Sequence, residues 1–224
     1  MLDTLYLCDE CPLSTFIRVI CKFCQKAPII ESSNSLNKKS QSKLLTYSPI
    51  NSLPLLKNDD NFYISGVLPI VNYILSFNPE TKTTLIGNGI KQQAQYEMWT
   101  SYFITNLVPI VEDMIKQLYG MKQYDQESFE KQLIELMNVL NIINKHLMMK
   151  AFFIGHSIGV VDLMFCAILF KLYSCVITPD LREKVPHVIR HFKYLSQLEE
   201  VKQLFGEAFP CVERMKPIQK EEKK

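Results

Sequence analysis

Residues 155–173 read Gly155-His-Ser-Ile-Gly-Val-Val-Asp-Leu-Met-Phe-Cys-Ala-Ile-Leu-Phe-Lys-Leu-Tyr173 and decide how the second half of this 224-residue chain folds. From Val160 to Tyr173 apolar residues cover nearly all sides of a helix, and such a helix is stable only when other helices surround it. The run contains Asp162 and Lys171 and is too short to cross a bilayer. The stretch therefore predicts a buried central helix.

Two further apolar stripes with helical spacing lie upstream of this helix. One extends over residues 96–110 and the other over residues 129–147, and both fit a helical period. We predict an all-helical domain over residues 91–210, preceded by a linker over residues 78–90. Residues 211–224, which end Lys-Glu-Glu-Lys-Lys, are predicted to begin a charged linker.

The start of the chain combines short apolar runs with one amphipathic stretch. Leu2–Leu7 has the length and composition of a buried strand, and Pro28–Glu31 is a second strand candidate. Between them, Pro12 suits the first turn of a helix, and residues 16–23 carry apolar side chains at helical spacing. The order strand, helix, strand indicates that an α/β domain begins the chain.

A hairpin and a second helix complete this domain. Short apolar runs on either side of the turn sequence Asn58-Asp-Asp60 predict two antiparallel strands. Leu68–Leu75 is predicted to form a helix, because it is apolar and a proline lies in its first turn. Residues 32–48 are rich in Ser, Asn and Lys and are predicted to be a mobile surface segment. We therefore predict that the α/β domain covers residues 1–77.

The composition limits the function classes. Lys and Arg number 25 against 23 Asp and Glu, which gives a net charge of +2, and no basic block occurs in the first 200 residues. We predict no direct contact with nucleic acid, because such contact usually needs a basic patch. The seven cysteines are odd in number, and neither a secretory signal nor a membrane-spanning segment is recognisable. These features favour a cytoplasmic protein with reduced thiols and no membrane contact.

The motif Cys8-Asp-Glu-Cys11 has three interpretations. As a redox pair it would lie at a helix N-terminus, which lowers the pKa of a thiol, but Asp9 and Glu10 disfavour a thiolate. As half of a zinc site it would need Cys21-Lys-Phe-Cys24, but only nine residues separate the two pairs, fewer than in zinc ribbons. We favour the third interpretation, a turn that carries two thiols, and predict no metal site.

Three stretches carry a resemblance to a known fold: Ser52-Leu-Pro-Leu-Leu56, Ile64–Tyr73 and Gly155–Asp162. They resemble the glutathione transferase fold over most of residues 2–210. The resemblance implies a thioredoxin-like α/β domain followed by a helical domain, with Pro54 after a cis peptide bond and Asp162 as a structural residue. A carboxylate near the first turn of a buried helix accepts backbone N–H groups and opposes the positive end of the helix dipole.

Three stretches near the C-terminus narrow this resemblance: Thr178–Phe192, Leu204–Cys211 and Glu213–Met215. They are similar to the end of the transferase-like domain in the gamma-chain family of translation elongation factor 1. The resemblance implies a non-catalytic adaptor that binds the nucleotide-exchange subunit of the elongation factor 1 complex. A scaffold that binds aminoacyl-tRNA synthetases in a multi-synthetase complex and a glutathione-dependent transferase are the alternatives, and a homodimer stays open.

In active transferases, a Glu-Ser pair at the start of the last helix of the first domain holds the glutamyl end of glutathione. The resemblance places Gly66 and Val67 at these positions, or Ser65 and Gly66 in the neighbouring register, so a carboxylate is missing. The hydroxyl and thiol groups near the first strand belong to Tyr6, Cys8, Cys11 and Ser14. The glutathione-site positions, in degenerate form, are Cys8, Cys11, Leu53, Pro54, Gly66 and Val67. We predict no catalytic residue and no cofactor, with glutathione binding and weak residual transferase activity left open.

Overall fold

The computed structural model describes residues 3–8, 11–32, 42, 46–48, 50, 53–58, 60 and 62–218. The chain divides into two compact units, Met1–Gly87 and Asn88–Lys224. The first unit contains a sheet and helices and the second is helical, which confirms the predicted fold class. Within the described ranges, no helix combines the length and the apolar character needed to span a membrane.

Four short strands form a mixed sheet in the first unit. They are β1 (Thr4–Leu7), β2 (Ile29–Ser32), β3 (Leu55–Lys57) and β4 (Tyr63–Ser65), in the order β2-β1-β3-β4. Strand β2 is parallel to β1, whereas β3 is antiparallel to both β1 and β4. In the turn after β3, Asn58 Oδ1 accepts the backbone N–H groups of Asp60 and Phe62, each at 2.9 Å. The predicted hairpin is therefore confirmed, and an Asn side chain closes its turn.

Helices α1 (Pro12–Phe23) and α2 (Val67–Ser76) contact each other in this unit. Each buries one apolar face, and the buried side chains include Phe16, Ile17, Ile20, Ile70, Val71 and Ile74. Removal of these side chains from water is the main driving force for the fold of the unit. Helix α1 begins at Pro12, which was predicted for its first turn, and α2 begins one residue before the predicted Leu68.

The predicted linker over residues 78–90 is wrong for most of its length, because Pro79–Ile86 forms helix α3. The Oδ1 atom of Asn78 accepts the N–H of Thr81 at 3.0 Å, and a proline occupies the first helical position. Both features favour a helix start. The two apolar side chains at the end of α3 are buried, and the first unit continues to Gly87.

The predicted mobile segment, residues 32–48, lies mostly outside the described residues, but its end contacts the sheet. Tyr47 stacks on Tyr63 of β4 with ring centroids 5.2 Å apart. Ser48 is buried. The prediction of a surface segment is therefore wrong at Ser48, because long-range contacts that no local pattern reveals hold this position against β4.

The second unit consists of helices arranged around one buried helix. Its described helices are α4 (Ile90–Tyr102), α5 (Val108–Leu118), α6 (Gln126–Leu147), α7 (Val160–Cys175), α8 (Pro179–Lys184), α9 (Pro186–Leu195) and α10 (Glu199–Phe205). Fourteen of the 16 residues of α7 are buried, and α4, α5 and α9 all contact it. The predicted central helix is confirmed.

A π-helical turn, Phe103–Leu107, connects α4 to α5. Pro109, in the first turn of α5, has no N–H to donate to a carbonyl group one turn earlier, and a wider turn accommodates the missing bond. Phe103 and Leu107 remain buried. The apolar stripe predicted over residues 96–110 therefore continues through the distortion.

The predicted domain end at residue 210 is wrong, because residues 211–218 continue along the helical unit. The N–H of Met215 donates to the carbonyl group of Cys175 at 2.8 Å, and the N–H of Ile218 donates to that of Leu118 at 2.9 Å. These carbonyl groups lie at the ends of α7 and α5, where the helix itself supplies no partner. The last six residues, with the charged ending, lie outside the described part of the chain.

Candidate functional site

Three chain segments meet at one end of the sheet and carry the positions predicted to contact glutathione. Tyr6 of β1 pairs with Leu55 of β3, and Leu55 pairs with Ser65 of β4. The end of β1, the start of β3 and the end of β4 are therefore neighbours. This register brings together Cys8 and Cys11 after β1, Leu53 and Pro54 before β3, and Gly66 and Val67 after β4.

Leu53 and Pro54 form the entry into β3. The peptide bond between them is cis. The carbonyl group of Pro54 accepts the N–H of Gly66 at 3.1 Å, so the sheet already occupies it. Among the described residues, the backbone groups of Leu53 have no hydrogen-bond partner. A backbone N–H and carbonyl group at this position could pair with the main chain of a peptide ligand.

Cys8 and Cys11 lie on a tight turn between β1 and α1. The N–H of Cys11 donates to the carbonyl group of Cys8 at 3.3 Å, and the N–H of Ser14 donates to that of Cys11 at 3.0 Å. The Oγ atom of the buried Ser14 accepts the N–H of Cys8 at 3.2 Å. Neither thiol forms a disulfide, and both residues are partly exposed. The intervening Asp9 and Glu10 lie outside the described residues.

The start of α2 carries no acidic residue in its first turn. Gly66 is the N-cap with φ of +96°, a conformation that residues with a Cβ rarely adopt, and it offers no side chain. The third helical position is Pro69, which has no N–H. Only the N–H groups of Val67 and Leu68 therefore remain without a partner among the described residues. These two groups can attract an anion, but no carboxylate is present in this turn to hold an ammonium group.

A pair of hydroxyl groups joins the end of β4 to the preceding segment. The Oγ atoms of Ser48 and Ser65 are 2.7 Å apart. Ser65 is the residue that one of the two sequence registers placed at the glutamate position, and its hydroxyl group is engaged within the protein. Sequence reasoning did not identify Ser48, because a contact 17 residues away leaves no local signal.

The second cysteine pair lies at the end of α1 and is buried. Burial raises the pKa of Cys21 to about 12 and also raises the pKa of Cys24. Such thiols are neutral and pack as small apolar groups. In the described part of the chain, no group of three or more His, Cys, Asp or Glu side chains is arranged to hold a metal ion.

The start of α7 contains a buried carboxylate that is fully bonded within the protein. Asp162 Oδ2 accepts the N–H of Gly159, the N-cap residue, at 2.8 Å. Asp162 Oδ1 accepts the N–H of Phe153 at 3.0 Å and lies 2.6 Å from His191 Nε2. Because a carboxylate accepts and never donates, this histidine nitrogen carries the hydrogen. The arrangement fixes the loop before α7, the helix start and α9 to one another.

Two histidines complete this buried cluster, and the sequence did not predict their roles. His191 is buried, and its Nδ1 atom has no partner among the described residues. His146 Nε2 lies 3.0 Å from the carbonyl oxygen of Phe153. Burial lowers the pKa of His146 below its ordinary value. The pairing of His191 with Asp162 spans 29 residues, and only the fold brings them together.

Comparison with protein families finds one matching family model. The model described as "Glutathione S-transferase, C-terminal domain" matches residues 102–199, which lie in the helical unit. The structure of the GST-like domain of elongation factor 1-gamma from Saccharomyces cerevisiae is similar, with a TM-score of 0.81 over 97% of this chain and 99% of that chain. At 17% identity this likeness shows the fold. The chain therefore has a glutathione S-transferase-like fold with a C-terminal domain of that type.

Two curated relatives have the same sequence identity to this chain over the aligned residues. The "Glutathione S-transferase-like protein FUS3" of Gibberella fujikuroi is 25% identical over 77% of this chain and 81% of that protein. "Elongation factor 1-gamma" of Danio rerio is 25% identical over 73% of this chain, but the match covers only 36% of that longer protein. The chain thus spans about a third of the zebrafish protein. Because the two identities are equal, sequence identity does not favour one relative over the other. The residues of the candidate site are therefore needed to choose between a transferase-like and an elongation-factor-like function.

Proposed function

We propose that this chain, which has the glutathione S-transferase-like fold, is a non-catalytic adaptor domain of the elongation factor 1-gamma type. Its partner is the nucleotide-exchange subunit of the elongation factor 1 complex, in the cytoplasm. The observation that carries this proposal is the start of α2, where Ser65, Gly66 and Val67 offer no carboxylate. A glutathione site without an acidic group for the glutamyl ammonium binds its ligand weakly.

The rest of the site supports the same conclusion. The Ser65 hydroxyl group is engaged within the protein, since its Oγ atom pairs with that of Ser48, and the Ser14 Oγ atom accepts the N–H of Cys8. The scaffold itself is intact, because the Asp162 cluster closes the start of α7. A stable fold with a weakened small-molecule site suits binding through the protein surface.

The direct test is affinity purification of the tagged chain from its native cells, with the bound proteins identified by mass spectrometry. We expect the nucleotide-exchange subunit of elongation factor 1 among them, and a Kd of about 1 µM or lower with the purified subunit. Recovery of aminoacyl-tRNA synthetases without any elongation-factor subunit would replace this proposal by a scaffold of a multi-synthetase complex.

A glutathione-dependent transferase is the second candidate, and one observation favours it. The partly exposed Cys8 directly follows β1, and Leu53 precedes the neighbouring strand β3 by two residues, so a thiol there could assist a bound glutathione. The similarity to a glutathione S-transferase-like protein points the same way.

Turnover of glutathione with 1-chloro-2,4-dinitrobenzene separates the two candidates. We expect the rate at subsaturating glutathione to lie about 10- to 100-fold below that of an active transferase of this fold, because a charge-assisted hydrogen bond to the ligand, of about 1.5–3 kcal/mol, is missing. Turnover at ordinary transferase rates that Cys8→Ala or Cys11→Ala abolishes would establish the enzyme and reject the non-catalytic adaptor.

A further inference from the structure

A groove of about 590 Å³ lies on the helical unit beside the end of α6. Residues 148–152, which follow α6, form part of its wall, and Arg190, His191 and Tyr194 of α9 form the rest. Its volume lies within the range of ligand-binding sites. None of these residues belongs to the predicted glutathione positions.

Apolar side chains of the groove remain in contact with solvent. Met149 is 86% exposed, Tyr194 is 55% exposed and Met148 is 54% exposed. Phe152 meets the Tyr194 ring edge-on, with centroids 5.9 Å apart. Methionine, aromatic residues and arginine are enriched in protein interfaces, and methionine adapts its shape to different partners. The wall therefore has the composition of a protein-binding surface.

The groove also carries a local excess of positive charge. Residues 137–161 and 185–198, which contain it, include four cationic residues and no Asp or Glu, so their charge of +4 exceeds the +2 of the whole chain. The four are Lys145, Lys150, Arg190 and Lys193. Of the acids that flank these segments, Asp162 is buried and bonded within the protein, whereas Glu135, Glu183 and Glu199 lie just outside them. This surface is complementary to a partner that carries carboxylates.

Arg190 is held in place at the groove. Its Nη2 atom donates to the carbonyl groups of Leu147 at 2.7 Å and Lys150 at 2.9 Å. Its Nη1 and Nε atoms make no hydrogen bond within the described residues. A guanidinium group that is fixed by two carbonyl groups loses little freedom when its remaining N–H groups bind a carboxylate.

His191 adds a second polar group to the groove lining. Its Nε2 atom is bonded to Asp162, and its Nδ1 atom is buried without a partner among the described residues. Buried polar atoms without a partner are uncommon in native proteins. A hydrogen-bond donor that reached this nitrogen would supply the missing bond.

We propose that this groove binds a short acidic segment of a partner protein. An Asp or Glu carboxylate of the segment pairs with Arg190 and Lys150, and a neighbouring Leu or Phe side chain packs against Met148, Met149 and Phe152. The exposed apolar wall favours a protein segment over a nucleic acid, which would need a longer basic surface. That the partner is a protein rests on the adaptor role proposed above.

Methyl NMR of the full chain with ¹³C-methyl-labelled methionine tests this proposal. The probes are the peptide acetyl-EDLFED-amide and its basic counterpart acetyl-KRLFKR-amide. We expect the acidic peptide to shift the Met148 and Met149 signals in a saturable way below about 1 mM. The exposed Met98 and Met121 are internal controls and should not shift. The basic peptide should leave all four signals unchanged.

A matched pair of charge reversals tests the role of Lys150. Lys150→Glu should weaken binding of the acidic peptide about tenfold, because an attractive charge becomes repulsive. Lys82→Glu, an exposed change on α3, should leave the affinity unchanged. Absence of shifts at Met148 and Met149, equal shifts with both peptides, or equal affinity for the small carboxylate 3-phenylpropionate would each overturn the proposal.

The same spectra separate this proposal from the adaptor role. If the nucleotide-exchange subunit binds the chain without shifting Met148 and Met149, the adaptor role stands and the groove is rejected as its binding surface. If that subunit does not bind, the named adaptor role is rejected, and the peptide titration still decides whether the groove accepts an acidic segment.

Discussion

Helices α2 and α7 both begin at a glycine, Gly66 and Gly159, and neither glycine can supply a side-chain cap. At the start of α7, the buried carboxylate of Asp162 accepts three hydrogen bonds. At the start of α2, the first turn contains no acid, and Pro69 lacks an N–H group. The start of α7 is therefore completed by a carboxylate of the chain itself, whereas the start of α2 has no acidic partner in its own first turn.

The acid at the start of α7 is a structural residue, whereas the start of α2 has no acid that could bind a ligand. A carboxylate whose oxygens are all bonded within the protein stabilises the fold and has little capacity left for a ligand. A helix start at a ligand position without a carboxylate attracts an anion only through its backbone N–H groups. The start of α7 therefore contains an acid that stabilises the scaffold, whereas the first turn of α2 contains no acid that could hold a glutamyl ammonium.

The largest expected effect is the loss of the structural acid. Asp162→Ala leaves the His191 imidazole and two backbone N–H groups buried without their acceptor. We expect the free energy of unfolding to fall by about 3–5 kcal/mol. Urea denaturation followed by Trp99 fluorescence measures this, because Trp99 is the single tryptophan and its ring lies 5.0 Å from that of Phe153.

Asp60→Ala is the control for this variant, because it removes an exposed acid whose carboxylate has no hydrogen-bond partner among the described residues. Its effect should stay within about 0.5 kcal/mol. If Asp162→Ala costs less than about 1 kcal/mol, the contrast between the two helix starts does not concern stability.

The second prediction restores an acid at the other helix start. Ser65→Glu places a carboxylate at the end of β4 next to Gly66, without forcing a side chain onto the positive φ of that glycine. We expect glutathione to bind about tenfold more tightly than to the unmodified chain, as for one gained charge-assisted hydrogen bond of about 1.5 kcal/mol. Isothermal titration calorimetry measures the change.

Ser65→Gln has nearly the same shape without the charge and also removes the Ser48 hydroxyl pair. It should leave the glutathione affinity near that of the unmodified chain. Equal gains from both variants would mean that size and not charge limits binding at this end of the sheet.

Local sequence patterns predicted much of this contrast. The central helix α7 and the hairpin of β3 and β4 were predictable because apolar periodicity and turn residues act over a few positions. The missing acid before α2 was also predictable, since it depends only on the residues at 65–67. The sequence does not predict helix α3, because its apolar face is limited to two residues at its end and because Asn78 and the following proline are also typical of a linker.

The sequence could not predict contacts between distant positions. Asp162 was identified as a structural residue, but its partner His191 lies 29 residues further along the chain. Residues 211–218 looked like a linker because their hydrogen bonds go to helix ends such as Cys175, which only the tertiary structure places nearby. A single sequence contains no signal for such pairs, because each depends on how the helices pack.

The third prediction concerns the start of α6, which has a capping acid as α7 does, but an exposed one. Asp125 is the N-cap of α6, is exposed, and accepts the N–H of Glu127 at 3.2 Å. We expect Asp125→Ala to lower the free energy of unfolding by about 1 kcal/mol, the usual contribution of an exposed cap. Urea denaturation measures it, and Asp125→Asn, which keeps an acceptor, should retain most of the stability. A loss as large as that of Asp162→Ala would show that burial is not what distinguishes α7.

The smallest predicted effect links pH to the start of α7 through His146. Its Nε2 atom is bonded to the carbonyl group of Phe153, whose N–H donates to Asp162. Burial lowers the pKa of His146 below its ordinary value of 6.5, so the folded protein disfavours the charged ring. As the pH falls, the unfolded chain takes up this proton first. The corresponding stability is therefore present above pH 6.5 and is lost as the pH falls through the pKa of the folded state.

We expect His146→Gln to lose less stability than the unmodified chain when the pH falls from about 7.5 to about 5.5, since the variant lacks this proton uptake. Urea denaturation at both pH values measures the difference, and His156→Gln, at an exposed position in the same unit, should behave like the unmodified chain. Identical losses of stability for all three proteins would mean that protonation of His146 does not affect the hydrogen bond to the Phe153 carbonyl group. The start of α7 would then depend on its buried carboxylate alone, and the contrast with α2 would rest on a single side chain.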